Sequence, residues 1–202
     1  MAGVRLGVFG GTFDPVHLGH LVLAECAREA LSLEQVVWVP AGDPWRKSDR
    51  PVSAAKDRIE LVRLAIKGNP AFELSTVETE RAGPSYSAET LTALAAARSG
   101  AELFFLLGLD ALEDLTHWHE PHKILELAKV AAASREGRRL DAYQLDAMLL
   151  GLGARTVWFD MPRLDISATE LRERAAAGRS LRYLVPAAVE AYIGEHGLYQ
   201  PT

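Results

Sequence analysis

The chain has 202 residues, 49% of them hydrophobic, which is enough to bury a full core in one domain and too few for a second large one. Its formal net charge of −5 argues against a polynucleotide partner, because polymer binding advertises itself as a basic excess. The lone Cys26 permits no internal disulfide, and there is neither a signal peptide nor an apolar span able to cross a bilayer, so a reducing cytoplasm away from membranes is the expected setting.

In chain order, apolar runs with strand character alternate with helical ones. Strands are expected at Val4 to Phe9, Gln35 to Pro40, Ala71 to Val77, Glu102 to Leu107, Lys129 to Ser134 and Thr156 to Phe159. Helices are expected at Leu18 to Leu31, Lys56 to Lys67, Ala88 to Arg98, Asp141 to Leu150 and Pro186 to His196. The last is the clearest, with Pro186 in its first turn, Val189, Tyr192, Ile193 and His196 on one face, and Gly197 as the stop. Such alternation implies right-handed βαβ units, hence an α/β fold: a Rossmann-like, doubly wound parallel sheet. One domain over residues 1–202 is expected, its C-terminal helical part, about 165–202, packed on the sheet. Ligands of such sheets bind outside the C-terminal ends of the strands.

The loop after the first strand, Gly10 to His20, reads GGTFDPVHLGH. Gly10 and Gly11 let the backbone turn sharply and approach a ligand, while Pro15 stiffens the segment. His17 and His20 lie three residues apart at a helix start, where unpaired amides add positive potential, so phosphate is the natural guest. Three other readings stand beside this one, the first being that the Gly-Gly pair is a plain turn touching no ligand. The histidines could bind a transition metal with Asp14 as third ligand, though no fourth group or Cys is at hand, or they could be ordinary capping or surface residues. Far along the chain, Ile166 to Arg172 reads ISATELR, in which Ser167 and Glu170 have the spacing of a capping box and mark another helix N-terminus. Hydroxyls of Ser167 and Thr169, free amides and the Arg172 guanidinium suit the β and γ phosphates of a triphosphate. Neither G-x-G-x-x-G after a strand nor G-x-x-x-x-G-K-[ST] is present, so the nucleotide is held another way.

The pair G-x-F-x-P-x-H-x-G-H and I-S-x-T-x-x-R resembles the nucleotidyltransferase superfamily that joins ATP to a phosphate-bearing partner. In the middle of the chain, Gly83 to Leu91 (GPSYSAETL), Leu107 to Leu112 (LGLDAL) and Trp118, with the tail Gly178 to Tyr199, are similar to bacterial nicotinate-nucleotide adenylyltransferases. The resemblance covers nearly the whole chain. It implies transfer of the adenylyl group of ATP to nicotinate mononucleotide, with His17, His20 and Arg172 as catalytic residues. It implies ATP contacts from Gly10, Gly11, Thr12, Phe13, Gly19, Gly108, Asp110, Ile166, Ser167 and Thr169. Mononucleotide contacts are implied for Lys47, Ser85, Tyr86, Ser87, Trp118 and Arg135, with the pyridine ring stacked on Trp118 and its carboxylate met at the Ser85-Tyr86-Ser87 turn.

The residues support that turn independently: Ser87 is a good N-cap for a helix from Ala88, and amides at a helix entrance favour a carboxylate over a neutral carboxamide. No dedicated carboxylate cage is evident, so Mg²⁺ is expected to ride mainly on the phosphates of ATP, with no protein metal site. The chain departs from the family pattern at three places. Ala168 replaces a common second Ser, Trp45 and Arg46 precede Lys47 where Pro-His is common, and Arg135-Glu136-Gly137 replaces Arg-Pro-Gly. Arg46 with Lys47, and Arg135 with Arg138 and Arg139, are basic clusters able to hold a small anion. Alternatives are an adenylyltransferase for nicotinamide mononucleotide or pantetheine phosphate, and a non-catalytic nucleotide sensor. Homo-oligomerisation stays open.

Overall fold

The computed structural model describes residues 3–44, 52–134 and 138–200. Six strands form one parallel sheet: β1 (Arg5–Gly11), β2 (Gln35–Pro40), β3 (Phe72–Leu74), β4 (Glu102–Leu107), β5 (Ala128–Ala133) and β6 (Thr156–Phe159), in the order β3-β2-β1-β4-β5-β6. Between and after them come nine helices among the described residues: α1 (Leu18–Ala30), α2 (Ala55–Ile66), α3 (Ser87–Ala97), α4 (Leu109–Asp114), α5 (Pro121–Leu127), α6 (Ala142–Met148), α7 (Leu152–Arg155), α8 (Ala168–Ala176) and α9 (Ala187–Glu195).

Side-chain alternation along the strands creates two cores. In β4, Phe104 and Leu106 face one layer while Leu103, Phe105 and Leu107 face the other. The first layer is closed by Leu23 and Ala27 of α1, Leu61 and Val62 of α2, Leu171 of α8, and Val189 and Ile193 of α9. The second is closed by Leu91 of α3, Leu112 of α4, Ile124 of α5, Leu145 of α6 and Leu152 of α7. Helices on both faces explain why the strands read as continuous apolar runs. The order of strands reverses between β1 and β4, and a crevice opens outside the carboxyl ends of that pair.

Three expectations change. β1 continues through Gly10 and Gly11, paired with Val39 and Pro40, so the glycines belong to the strand's end rather than to a free loop. β3 stops at Leu74 because, after the Ser75 amide bonds to the Trp38 carbonyl, the chain turns and both Thr79 and Glu80 amides bond to the Thr76 carbonyl. His196 is exposed beyond the end of α9 and lies against the Tyr192 ring, with centroids 4.0 Å apart, rather than in the buried stripe of Val189 and Ile193.

Candidate active site

At the end of β1 the chain is anchored by Phe13, a buried residue held at φ +50, where non-glycine residues seldom sit. Its ring meets Phe9 at 5.4 Å, His20 at 5.2 Å and Trp38 at 5.3 Å between centroids, and a Cβ at Gly11 would lie 3.0 Å from that ring, closer than ordinary contact, so glycine lets the two pack without displacement. His17 then opens α1. The His17 and His20 rings stack at 3.7 Å, and His20 Nδ1 accepts the His17 amide at 3.2 Å, which makes Nε2 the donor nitrogen of His20. Gly19 lies between the His17 ring and the Ile166 carbonyl oxygen, at 3.1 and 3.9 Å from a hypothetical Cβ, so the two motif segments touch.

They are also bonded. Arg172 Nη1 donates to the Asp14 carbonyl oxygen at 2.8 Å, and Nη2 donates to Thr169 Oγ1 at 3.0 Å. Ser167 caps α8 by accepting the Glu170 amide at 3.1 Å. Asp14 does not face a metal with the histidines: its carboxylate is buried, accepting the Tyr199 hydroxyl at 2.8 Å on Oδ1 and the Ser53 amide at 3.5 Å on Oδ2. The expectation that Asp14 could be a third metal ligand is thereby corrected. Among the described residues no group of three or more His, Cys, Asp or Glu is arranged to hold a metal ion. Arg58, also buried, donates to the carbonyls of Thr12, Gly42 and Ser53 at 3.0, 3.1 and 2.9 Å and so staples the loops that follow β1 and β2.

Two cavities flank these segments. One, of about 570 Å³, is lined by Leu23, Gly108, Asp110, Ser134, Ile166 and Ser167 among others. The second, of about 340 Å³, is lined by residues that include Gly10, Gly11, Thr12, Ser85, Tyr86, Ser87, Trp118 and His119. They share Gly108 and Ala111. His17, His20, Thr169 and Arg172 line neither cavity. His20 has Leu23 of the first cavity one turn along α1, and its ring lies 6.0 Å from that of Phe9, which lines the second. Trp45, Arg46, Lys47 and Arg135 lie outside the described residues.

Inside the second cavity, Trp118 is half-buried, edge-on to Phe105, and held by Nε1 donating to Asp114 at 3.2 Å. Helix α3 begins at Ser87 with Tyr86 as its cap residue, so Ser87 does not cap it; the amides at its entrance nonetheless border the cavity. Ser85 Oγ accepts the Gly42 and Asp43 amides at 2.8 and 3.1 Å, tying the loop after β2 to this turn. Sequence reasoning missed Glu78, Asp114 and His119. Burial pushes the Glu78 carboxyl above the usual carboxylate range, opposed by hydrogen bonds from the Thr90 and Ser85 hydroxyls. His119 stacks on Tyr86 at 4.0 Å and adds a second aromatic wall; only its place beside Trp118 hinted at this.

Gly108 has φ −74 and ψ 163, open to any residue, and a Cβ there would meet nothing within 4 Å. Gly108→Val should therefore still fold, losing on the order of 1 kcal/mol because Val is a poorer N-cap than Gly for α4. It should weaken binding of ligands in both cavities, as read by calorimetric titration.

Burial pushes the His17 imidazole down to about 4 from 6.5. Between those values the unfolded chain binds a proton that the folded chain refuses, so stability falls as pH drops through this window, by about 3 kcal/mol from this residue. Denaturant titrations at pH 7 and pH 4 should show His17→Gln losing less stability on acidification than the wild type.

A family model, cytidylyltransferase-like, matches residues 8–174. A protein of Thermomicrobium roseum named "Probable nicotinate-nucleotide adenylyltransferase" is 45% identical over 196 residues, covering 97% of this chain and 92% of that protein. One of the same name from Roseiflexus sp. is 45% identical over 201 residues, covering 99% and 100%. The fold matches that of the Plasmodium falciparum nicotinic acid mononucleotide adenylyltransferase complexed with NaAD, with TM-score 0.79 at 16% identity over 96% of this chain and 97% of that one. On the family model and on relatives 45% identical over nearly their whole length, the chain belongs to the cytidylyltransferase-like family and, within it, to the nicotinate-nucleotide adenylyltransferases.

Proposed function

We infer that this chain transfers the adenylyl group of ATP to nicotinate mononucleotide, giving nicotinate adenine dinucleotide and pyrophosphate in NAD biosynthesis. The observation that carries this reading is the joining of the two motif segments, Arg172 bonded to the Asp14 carbonyl, with Gly10, Gly11 and Thr12 of the first lining one cavity and Ile166 and Ser167 of the second lining the other. ATP takes the larger cavity, its triphosphate running toward α1 and α8, while the mononucleotide takes the smaller, its pyridine ring against Trp118 and its carboxylate at the amides entering α3.

The 5′-phosphate of the mononucleotide is already ionised and attacks the α-phosphorus of ATP in line; the bond to the β-phosphate oxygen breaks, and pyrophosphate leaves with the electron pair. No general base is required. The chain's work is to align two polyanions and stabilise charge that grows as the bonds exchange. His20 Nε2–H and His17 lie at the α-phosphate, and Arg172 with the Ser167 and Thr169 hydroxyls and the first amides of α8 grip the departing pyrophosphate. Mg²⁺, which keeps its waters and needs few protein ligands, would ride mainly on the phosphates of ATP, with Asp110 in the wall of the larger cavity as a contact of the nucleotide. When bound it supplies charge neutralisation to the triphosphate. The family resemblance assigns Lys47 and Arg135, which lie outside the described residues, to the mononucleotide as well. No described helix is long and apolar enough to cross a membrane.

Three acceptors assayed side by side with ATP and Mg²⁺, namely nicotinate mononucleotide, nicotinamide mononucleotide and pantetheine phosphate, test the reading by pyrophosphate release. Nicotinate mononucleotide should give by far the highest kcat/KM; preference for another acceptor reassigns the substrate, and no release with any acceptor leaves a nucleotide sensor. In the same assay His20→Ala should lower kcat by about 100-fold or more with the fold intact. Trp118→Ala should mainly raise KM for the mononucleotide, and a change confined to KM for ATP would remove the pyridine from that wall.

A further inference from the structure

Asp14 joins three distant parts of the chain. Its main-chain oxygen receives Arg172, its carboxylate receives the Tyr199 hydroxyl, and the Ser53 amide approaches the other carboxylate oxygen. At 2% exposure the carboxylate has little water to turn to, so each protein donor matters. Tyr199 is delivered by an unusual path: after α9, Gly197 at φ +60 reverses the chain, the Leu198 amide bonds to the Ile193 carbonyl, and Tyr199 itself sits at φ +65. Non-glycine residues hold that conformation at a cost, and the surroundings must outweigh it. The ring packs against the same core as Phe13 and Leu171, the residues that seat the two motif segments.

We propose that Tyr199 is a positioning residue for adenylyl transfer: through the Asp14 carboxylate its hydroxyl holds the Asp14 carbonyl in the place where Arg172 docks. The proposal rests on the adenylyltransferase reading above. Its physical content is a lever within one residue. The side chain of Asp14 is fixed from the tail and its carbonyl fixes the guanidinium, so loss of the first bond lets the second wander. A cation displaced by a fraction of an ångström still binds substrate but no longer matches charge developing on the leaving group.

The test is a double-mutant cycle in the full chain with Tyr199→Phe, Arg172→Lys and the pair, reading kcat and both KM values by pyrophosphate release well below the melting temperature. Tyr199→Phe should lower kcat on the order of tenfold while KM for the mononucleotide stays within about twofold. Added to Arg172→Lys, it should change kcat by no more than about twofold, since its effect passes through the guanidinium. Unchanged kcat in Tyr199→Phe, or the full loss persisting on the Arg172→Lys background, would overturn the proposal. Should Tyr199→Phe fold poorly, Asp14→Asn weakens the same bond with the same shape and carries the same expectations. The cycle is run on whichever acceptor the wild type uses, so a wrong acceptor corrects the reaction and leaves this test standing; a wild type that uses none overturns both.

Discussion

One hydrogen bond joins residues 158 positions apart, Arg172 to the Asp14 carbonyl, and the rest of the site is arranged around it. The first motif leaves the sheet at the end of its central strand, β1, and the second follows its edge strand, β6. To meet, the chain after β6 must run back across the ends of β5 and β4, and residues 161–167 do so while walling the larger cavity with Ser134 and Gly108. Leu171 and Ala175 then bury α8 in the layer that holds α1. A main-chain oxygen accepts without a formal charge, so this bond positions the cation rather than cancelling it.

The topology supplies the second constraint. A sheet whose order reverses between β1 and β4 must open there, because the connections from those strands depart to opposite faces. Gly10 and Gly11 line the crevice from β1, and Gly108 lines it from the residue that follows β4. Two cavities sharing Gly108 and Ala111 in their walls lie side by side, an arrangement that suits two substrates whose reacting ends must touch.

Much of this is legible in the residues. The strand runs are apolar on both faces, and the capping pair Ser167 and Glu170 marks α8 without any periodicity at all. What escapes has physical causes. Helices α4 and α5, of six and seven residues, span too few turns to show a stripe. β3 reads as longer than it is because Thr76 and Val77 suit a strand, while the turn that removes them is set by the Thr76 carbonyl. Tyr199, Arg58 and Glu78 act through contacts 185, 46 and 12 residues away along the chain, and no local spacing encodes such partners. Sequence order puts Asp14 beside the histidines, which is what opened the alternative of a metal site, while the fold turns its carboxylate toward the tail.

Burial of His17 fits a chemistry without proton transfer. A general base should titrate near the working pH, yet this imidazole is pushed down to about 4 by desolvation. If the nucleophile is a phosphate already ionised, the ring need only donate a hydrogen bond and exclude water, and a neutral ring does both without the cost of a buried charge.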